Sequence, residues 1–348
     1  MIDFFGYKPS RGYFAACNGY SGFYSLFDRT FNPLCHDRVF VLKGGPGTGK
    51  STIMKGVIKW ANSNRIFSEA IYCSSDPLSL DGVILRRENK SIAILDGTAP
   101  HTYDPKYPGV KDEIINLGEG FNNTKLASFS DKVCALGKQK SEAYEDAYSY
   151  LRLSGEIKKI LNKKHREAQD NTALDIIIEE LKEKIKCDDD YDEYDVFCIS
   201  SFGRFGYSRL DELSCEEKTV IELQGDGYTE YAVLDALTDY AIKEKKAVAV
   251  SPSALDPDSK EALYTENYVF TIGFKGDTVI DTRGIAKLKK ETDSLNKLYS
   301  TTLELAKEEF SKASDIHFKI EEIYRSCMDF EVNDALFVNL IGRIRDFI

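Results

Sequence analysis

The chain has 348 residues, of which 42% are hydrophobic, 30% charged and 12% aromatic, and its formal charge is −11. That length predicts about two domains, and the acidic balance argues against nucleic acid or an anionic membrane as a partner. No run approaches the roughly 18 apolar residues of a membrane span, and the start, Met1-Ile2-Asp3-Phe4-Phe5, lacks the basic and apolar regions of a signal peptide, so a cytoplasmic location is expected.

Gly12 to Cys17 reads as a short strand, followed by the glycine turn Asn18-Gly19-Tyr20-Ser21-Gly22-Phe23. Leu26 and Phe27 enter a helical piece that ends near Asn32-Pro33. Val39 to Leu42 is the next strand and runs into Gly44-Gly45-Pro46-Gly47-Thr48-Gly49-Lys50-Ser51-Thr52. A helix follows, with Ile53, Val57 and Trp60 at helical spacing and an end at Asn62-Ser63-Asn64. Strand, glycine loop and helix are the context in which G-x-x-x-x-G-K-[ST] carries information. Glycines let backbone N–H groups converge on phosphate oxygens, and the helix start aims its positive dipole end at the same anion. Gly44 to Thr52 are therefore the expected nucleotide-binding set, with Lys50 reaching the β and γ phosphates and the Ser51 hydroxyl ligating Mg²⁺.

Glu69 to Cys73 is a further strand, and its carboxyl end leads into Ser74-Ser75-Asp76-Pro77. Ligands of open α/β sheets sit at such ends. Asp76 is a candidate for ordering a metal-bound water or holding a second substrate, with capping of the helix after Pro77 as the structural alternative. Ser91 to Asp96 is a Walker-B-like strand, four apolar residues closed by an acid, which makes Asp96 the expected second partner of Mg²⁺. His101, in the loop after it, is a candidate phosphate sensor or general base, with a structural hydrogen bond as its alternative. Arg86 and Arg87 precede this strand in a charged turn.

From Asn122 to Lys186 charged residues dominate. Ala143, Ala147, Tyr150, Ser154, Ile157 and Leu161 form one helical face, and Ala173 to Lys186 is a second amphipathic helix. Together they predict a helical hairpin projecting from, or packed on, the α/β core, either a solvated lid or an arm for a protein partner. Cys187 to Asp195 is an acidic run that reads as a solvated linker. The eight cysteines form no C-x-x-C and lie at no zinc spacing with a histidine, which suits reduced thiols.

Beyond the linker the first half repeats. Phe197 to Ser200 resembles Phe14 to Cys17, and Thr219 to Gly227 follows Val39 to Gly47 at an offset of 180. Asp256-Pro257 answers to Asp76-Pro77 and Ser253 to Cys73, and Val269 to Ile272 stands where Ser91 to Ile94 stood, shifted by two. Ala306, Phe310, Ala313, His317, Ile320 and Tyr324 repeat the helical stripe, with His317 read as a core residue. The chemistry is not repeated. Gly49, Lys50 and Ser51 become Thr229, Glu230 and Tyr231, and Asp96 corresponds to about Phe274. A carboxylate in the lysine position repels a triphosphate, so the second loop is expected not to bind Mg-ATP.

These motifs resemble a family of bacterial tandem P-loop proteins, usually described as ATPases or ATP-binding proteins. The resemblance rests on Leu42 to Thr52, Cys73 to Pro77, Leu95 to His101, Asp104 to Gly109 and Glu113 to Glu119. It is strong over roughly residues 12 to 120 and looser elsewhere. It implies a P-loop NTPase fold in both halves. Members generally carry a working loop in each half, and this chain departs from that at Glu230 and Tyr231.

The resulting expectation is an α/β protein of two tandem P-loop NTPase-like domains, each a mostly parallel sheet with helices on both faces and a helical hairpin after it. The expected boundaries are 1–120 for the intact domain, 121–187 for the arm, 188–195 for the linker, 196–284 for the degenerate domain and 285–348 for the helical tail. Function is expected to be Mg²⁺-dependent binding of ATP or GTP and its hydrolysis at one site. Lys50 and Asp96 serve the phosphates and metal, and Asp76 or His101 orients the attacking water. A small-molecule or nucleoside kinase using the same loop is one alternative. A nucleotide-controlled switch whose degenerate repeat binds a protein partner is another. Arg204, Arg209 or Arg283 of the second half could complete the first site in trans.

Overall fold

The computed structural model of the protein describes residues 7–99, 102–210, 218–287 and 291–348. The first repeat opens with β1 (Arg11–Phe14), a hairpin of β2 (Ala16–Gly19) and β3 (Gly22–Ser25), and the short α1 (Phe27–Thr30). Then come β4 (Arg38–Lys43), α2 (Lys50–Ser63), β5 (Phe67–Tyr72), β6 (Leu80–Arg87), β7 (Lys90–Asp96) and β8 (Asp112–Asn116). Helices α3 (Asn123–Ala127), α4 (Ser130–Ala168) and α5 (Asn171–Ile185) close the repeat. The second repeat has β9 (Asp195–Val196), the hairpin β10 (Ser200–Gly203) and β11 (Gly206–Arg209), β12 (Thr219–Gln224) and α6 (Thr229–Lys243). It continues with β13 (Ala249–Pro252), β14 (Lys260–Tyr264), β15 (Tyr268–Ile272), β16 (Thr278–Asp281), α7 (Glu291–Ser326) and α8 (Phe330–Phe347). Among the described residues no helix is long and apolar enough to cross a membrane.

The two sheets have one topology. The first runs β1-β5-β6-β7-β4-β8 and the second β9-β13-β14-β15-β12-β16. In each, the third strand is antiparallel to both neighbours and the remaining pairs are parallel. The repeat is therefore present in the fold as well as in the motifs.

The pleat of β4 explains how the sheets stack. Val39 to Leu42 are all buried, as in a strand covered on both faces. Phe40 and Leu42 pack with Ile53, Met54 and Val57 of α2, whereas Val39 and Val41 share a core with Val220, Ala249 and Val269 of the second sheet. The expected helices on both faces are thus replaced by one outer helical layer per sheet. The inner faces, apolar on both sides, close on each other instead. The sheet ladders make Cys198 the equivalent of Phe14, one residue on from the sequence-based match to Phe197, and the two exchange backbone hydrogen bonds of 2.8 and 3.0 Å where the halves meet.

The outer layers are built by exchange. Leu340, Ile341 and Ile344 of α8 complete the core over the first sheet, and Leu174, Ile178, Leu181 and Ile185 of α5 complete the core over the second. Each repeat lends its last helix to the other, so, of the two placements expected for 121–187, the helices take the one packed on the core, with α5 over the second sheet. Helices α4 and α7 lie antiparallel: Ser154 Oγ donates to Thr302 Oγ1 at 2.8 Å, and Phe310 packs edge-on against Tyr144 and Tyr148. Of the stripe read from sequence, Ala143, Ala147, Ser154, Ile157 and Leu161 are buried and Tyr150 is half-buried. The acidic linker is largely exposed, as expected, and is tacked down at a few points. Asp188 is buried against Asn267 Nδ2 at 2.7 Å, and Lys245 and Lys246 pair with Asp192 and Asp190.

Candidate functional site

The glycine loop occupies the turn between β4 and α2 as expected. Gly47 (φ +70°) and Gly49 (φ +86°) adopt left-handed backbone that other residues reach only with strain. Thr48 Oγ1 donates to the Gly45 carbonyl at 2.8 Å and braces the loop. Lys50, at the first position of α2, turns its ammonium back over the loop. Its Nζ lies 2.8 Å from the carbonyls of Gly44 and Gly45 and 3.6 Å from Asp96 Oδ2.

Asp96 closes β7, whose register with β4 sets it opposite Leu42. Burial raises its carboxyl above the ordinary aspartate value, against the opposing effects of the Lys50 ammonium and the Thr98 donors. Ser51 Oγ accepts the Leu80 amide at 3.1 Å, which ties the turn after β5 to the loop. A hydroxyl has two acceptor positions and a proton, so Ser51 retains capacity for a further ligand. Ser51 and Asp96 are oxygen donors of the kind a hard divalent cation takes. Among the described residues there is no cluster of three or more His, Cys, Asp or Glu that would hold a metal unaided.

Asp76 caps a turn, where the sequence suggests the start of a short helix after Pro77. Its Oδ1 accepts the Leu78 amide at 3.1 Å, a turn-capping bond, and its Oδ2 lies 3.3 Å from Arg204 Nη1. Arg204 comes from the tip of the β10–β11 hairpin of the other repeat. The tip is seated by the Arg204 amide on the Ser75 carbonyl (3.1 Å) and Ser201 Oγ on the Ser74 carbonyl (2.7 Å). The first hairpin does the same in return, with the Tyr20 amide donating to the Leu255 carbonyl at 2.8 Å. Of the three arginines considered from sequence, Arg204 is the one placed at the Asp76 turn; Arg209 pairs with Glu261 and Arg283 with Asp281. His101 lies outside the described residues.

Sequence reasoning missed the cover of the loop. Asn333 Nδ2 on α8 donates to the Thr48 carbonyl at 2.6 Å. A Cβ on Gly45 would meet the Tyr324 ring at 2.8 Å, and one on Gly47 would meet the Glu321 carbonyl oxygen at 2.6 Å, both on α7. Burial raises the Glu321 carboxyl, but bonding from His317 and the Gly47 amide, with the His317 and Arg325 charges, outweighs it and leaves the group low. His317, read as a core residue, instead faces Glu321 at 3.6 Å.

The second loop keeps the nest and fills it from within. Gly227 (φ +92°) matches Gly47, and its amide donates to Glu230 Oε1 at 2.8 Å. Any Cβ on Gly225 would overlap the Glu230 carboxylate, which is why that glycine remains. Burial raises the Glu230 carboxyl, opposed by backbone donors and by Lys158. Lys158, from α4, donates to the Gly227 carbonyl. Phe40 and Leu42 answer to Ile221 and Leu223 in core position, one residue more than the offset within the loop, so the second loop is shorter by one. Ladder register then aligns Asp96 with Ile272, which pairs with Leu223, and not with Phe274. The acid is lost either way. The seven described cysteines are all free. Comparison with protein-family models, curated proteins and solved structures finds no match.

Proposed function

We propose that the protein binds Mg-ATP at the first glycine loop and hydrolyses it there, with one working site per chain. The observation that carries this reading is the juxtaposition of Lys50, at the head of α2 behind a left-handed glycine loop, with Asp96 at 3.6 Å on the neighbouring strand. Loop amides and the Lys50 ammonium take the β and γ phosphates. Ser51 and Asp96 would hold Mg²⁺, which would supply charge neutralisation to those phosphates. Arg204 adds a positive charge at the carboxyl ends of the strands, where it stabilises charge on the transferred phosphoryl group. Asp76 holds that guanidinium at 3.3 Å and so acts as a positioning residue.

The charge reversal at Glu230 restricts the reading to the first loop. A triphosphate entering the second loop would have to displace a carboxylate rooted in the first turn of α6. GTP in place of ATP is compatible with the same phosphate contacts. The test compares wild type with Lys50→Ala in melting and turnover under saturating Mg-ATP and Mg-GTP. A nucleotide at a hundred times its Kd adds about 2.7 kcal/mol of stability. Wild type is expected to show that rise and to release ADP or GDP. The variant should lose the rise and turn over slower by about 100-fold. Equal behaviour of the two proteins would refute the assignment.

A further inference from the structure

In both repeats the antiparallel third strand of the sheet begins at a bulge, and the residue in the bulge is an acid. The ladder of β5 and β6 passes from Ile71–Gly82 to Tyr72–Leu80 and skips Asp81. That of β13 and β14 passes from Ser251–Ala262 to Pro252–Lys260 and skips Glu261 in the same place. Bulges re-aim a side chain and are over-represented beside active sites. Both acids are buried, at 6% and 1% exposure.

The two acids meet different neighbours. Glu261 accepts from Ser200 Oγ and lies 3.4 Å from Arg209 Nη1. Ser200 and Arg209 face each other in the β10–β11 hairpin, and the same rung of the β2–β3 hairpin holds Ala16 and Ser25, so Arg209 has no cationic counterpart in the first repeat. On the other side the contrast is reversed. The rung Gly82–Leu95 is followed by Asp81 and Asp96, whereas Ala262–Thr271 is followed by Glu261 and Ile272. Val83, Leu85, Ile92 and Ile94 share the core under α2, and the alternation of their strands carries Asp81 and Asp96 onto that face. The residue before Asp81 is Leu80, whose amide donates to Ser51 Oγ at 3.1 Å. Two carboxylates thus stand side by side at the head of α2, and the Asp81 charge adds to burial in raising the Asp96 carboxyl.

We propose that Asp81 is a further residue of the Mg²⁺ site, a carboxylate that accepts hydrogen bonds from the water shell of the ion at Ser51 and Asp96. This rests on the nucleotide reading of the first loop and adds the residue that positions the metal there. Mg²⁺ gives up its waters reluctantly and is commonly held through one or two carboxylates and the waters it keeps. Buried carboxylates persist where a cation answers them. In the second repeat that cation is Arg209; in the first it is Lys50 together with the metal.

Loss of a group that hydrogen-bonds around a bound metal costs about 10–100-fold in metal affinity. ATP affinity is measured by calorimetry, in Mg²⁺ and in excess chelator, for wild type, Asp81→Asn and Glu261→Gln. Asp81→Asn is expected to lose about tenfold or more in Mg²⁺ and to match wild type in chelator. Glu261→Gln should melt lower, because Arg209 loses its carboxylate, and keep the wild-type response to Mg²⁺. Equal loss by Asp81→Asn in both media, no loss in either, or the same loss of Mg²⁺ response in Glu261→Gln overturns the metal role and leaves the nucleotide reading standing. Absence of ATP binding by wild type overturns both. A second measurement needs no substitution: Fe²⁺ in place of Mg²⁺ in the wild-type ATP complex, with ascorbate and hydrogen peroxide, cuts the backbone close to the metal. Cuts at residues 80–82 as well as near Asp96 are expected; cuts near Asp96 alone, or at neither place, contradict the placement of Asp81.

Discussion

At residue 230 one side chain has replaced both parts of a binding event. The glutamate removes the ammonium that would meet a phosphate and supplies the anion that the Gly227 amide would otherwise seek. The sequence shows the repulsion, because Glu230 stands at the lysine position, but not the internal occupancy. That depends on Lys158, some seventy residues earlier and on a different element. Restoring lysine there is accordingly a loss. Glu230→Lys brings a second ammonium toward Lys158 and leaves the Gly227 amide without its carboxylate partner, a change that costs about 1–3 kcal/mol. Urea unfolding should show a drop of that size, and calorimetry should show no new nucleotide site; a variant of wild-type stability that binds two nucleotides would contradict this reading of the loop. Lys50, Ser51 and Asp96 were legible because their chemistry is local to a strand–loop–helix unit. Glu321, Tyr324 and Asn333 were not, since their contacts with the loop span most of the chain.

At the scale of elements, amphipathic spacing correctly marks which helical residues are buried but does not say against what. Leu340 and Ile344 show this: their stripe is clear, yet the surface they cover belongs to the opposite repeat. In the first sheet two strands escaped notice for a different reason, as did their counterparts β14 and β16 in the second. β6 has only the short apolar run Val83-Ile84-Leu85, set between Gly82 and Arg86-Arg87, and β8 is only Asp112-Glu113-Ile114-Ile115-Asn116. In β8 the fully buried Asp112 is satisfied by Tyr103 Oη at 3.0 Å and the amides of Lys106 and Tyr107 at 2.8 and 2.6 Å, a network invisible to periodicity. The exchanged α8 should be essential to the first repeat. Leu340→Ala deletes a side chain that is 1% exposed in that core, and such truncations cost about 2–5 kcal/mol. Denaturant unfolding should report that loss; a change under about 0.5 kcal/mol would mean that α8 does not belong to the core.

At the scale of the molecule, the two repeats share one inner core and trade both a helix and a hairpin tip, so neither sheet is covered without the other. The protein should therefore unfold in one calorimetric transition, with equal calorimetric and van't Hoff enthalpies; two separated transitions would show the repeats to be independent. The same architecture makes the asymmetry of the loops informative. Two equivalent turns sit in equivalent frames, and they differ in the residue at the head of the following helix, Lys50 in the first and Glu230 in the second. The most direct test is the stoichiometry of Mg-nucleotide binding by isothermal titration calorimetry, in wild type and in Lys50→Ala. The account predicts one nucleotide per chain in wild type and none in the variant; two per chain in wild type, or one retained after Lys50→Ala, would contradict it.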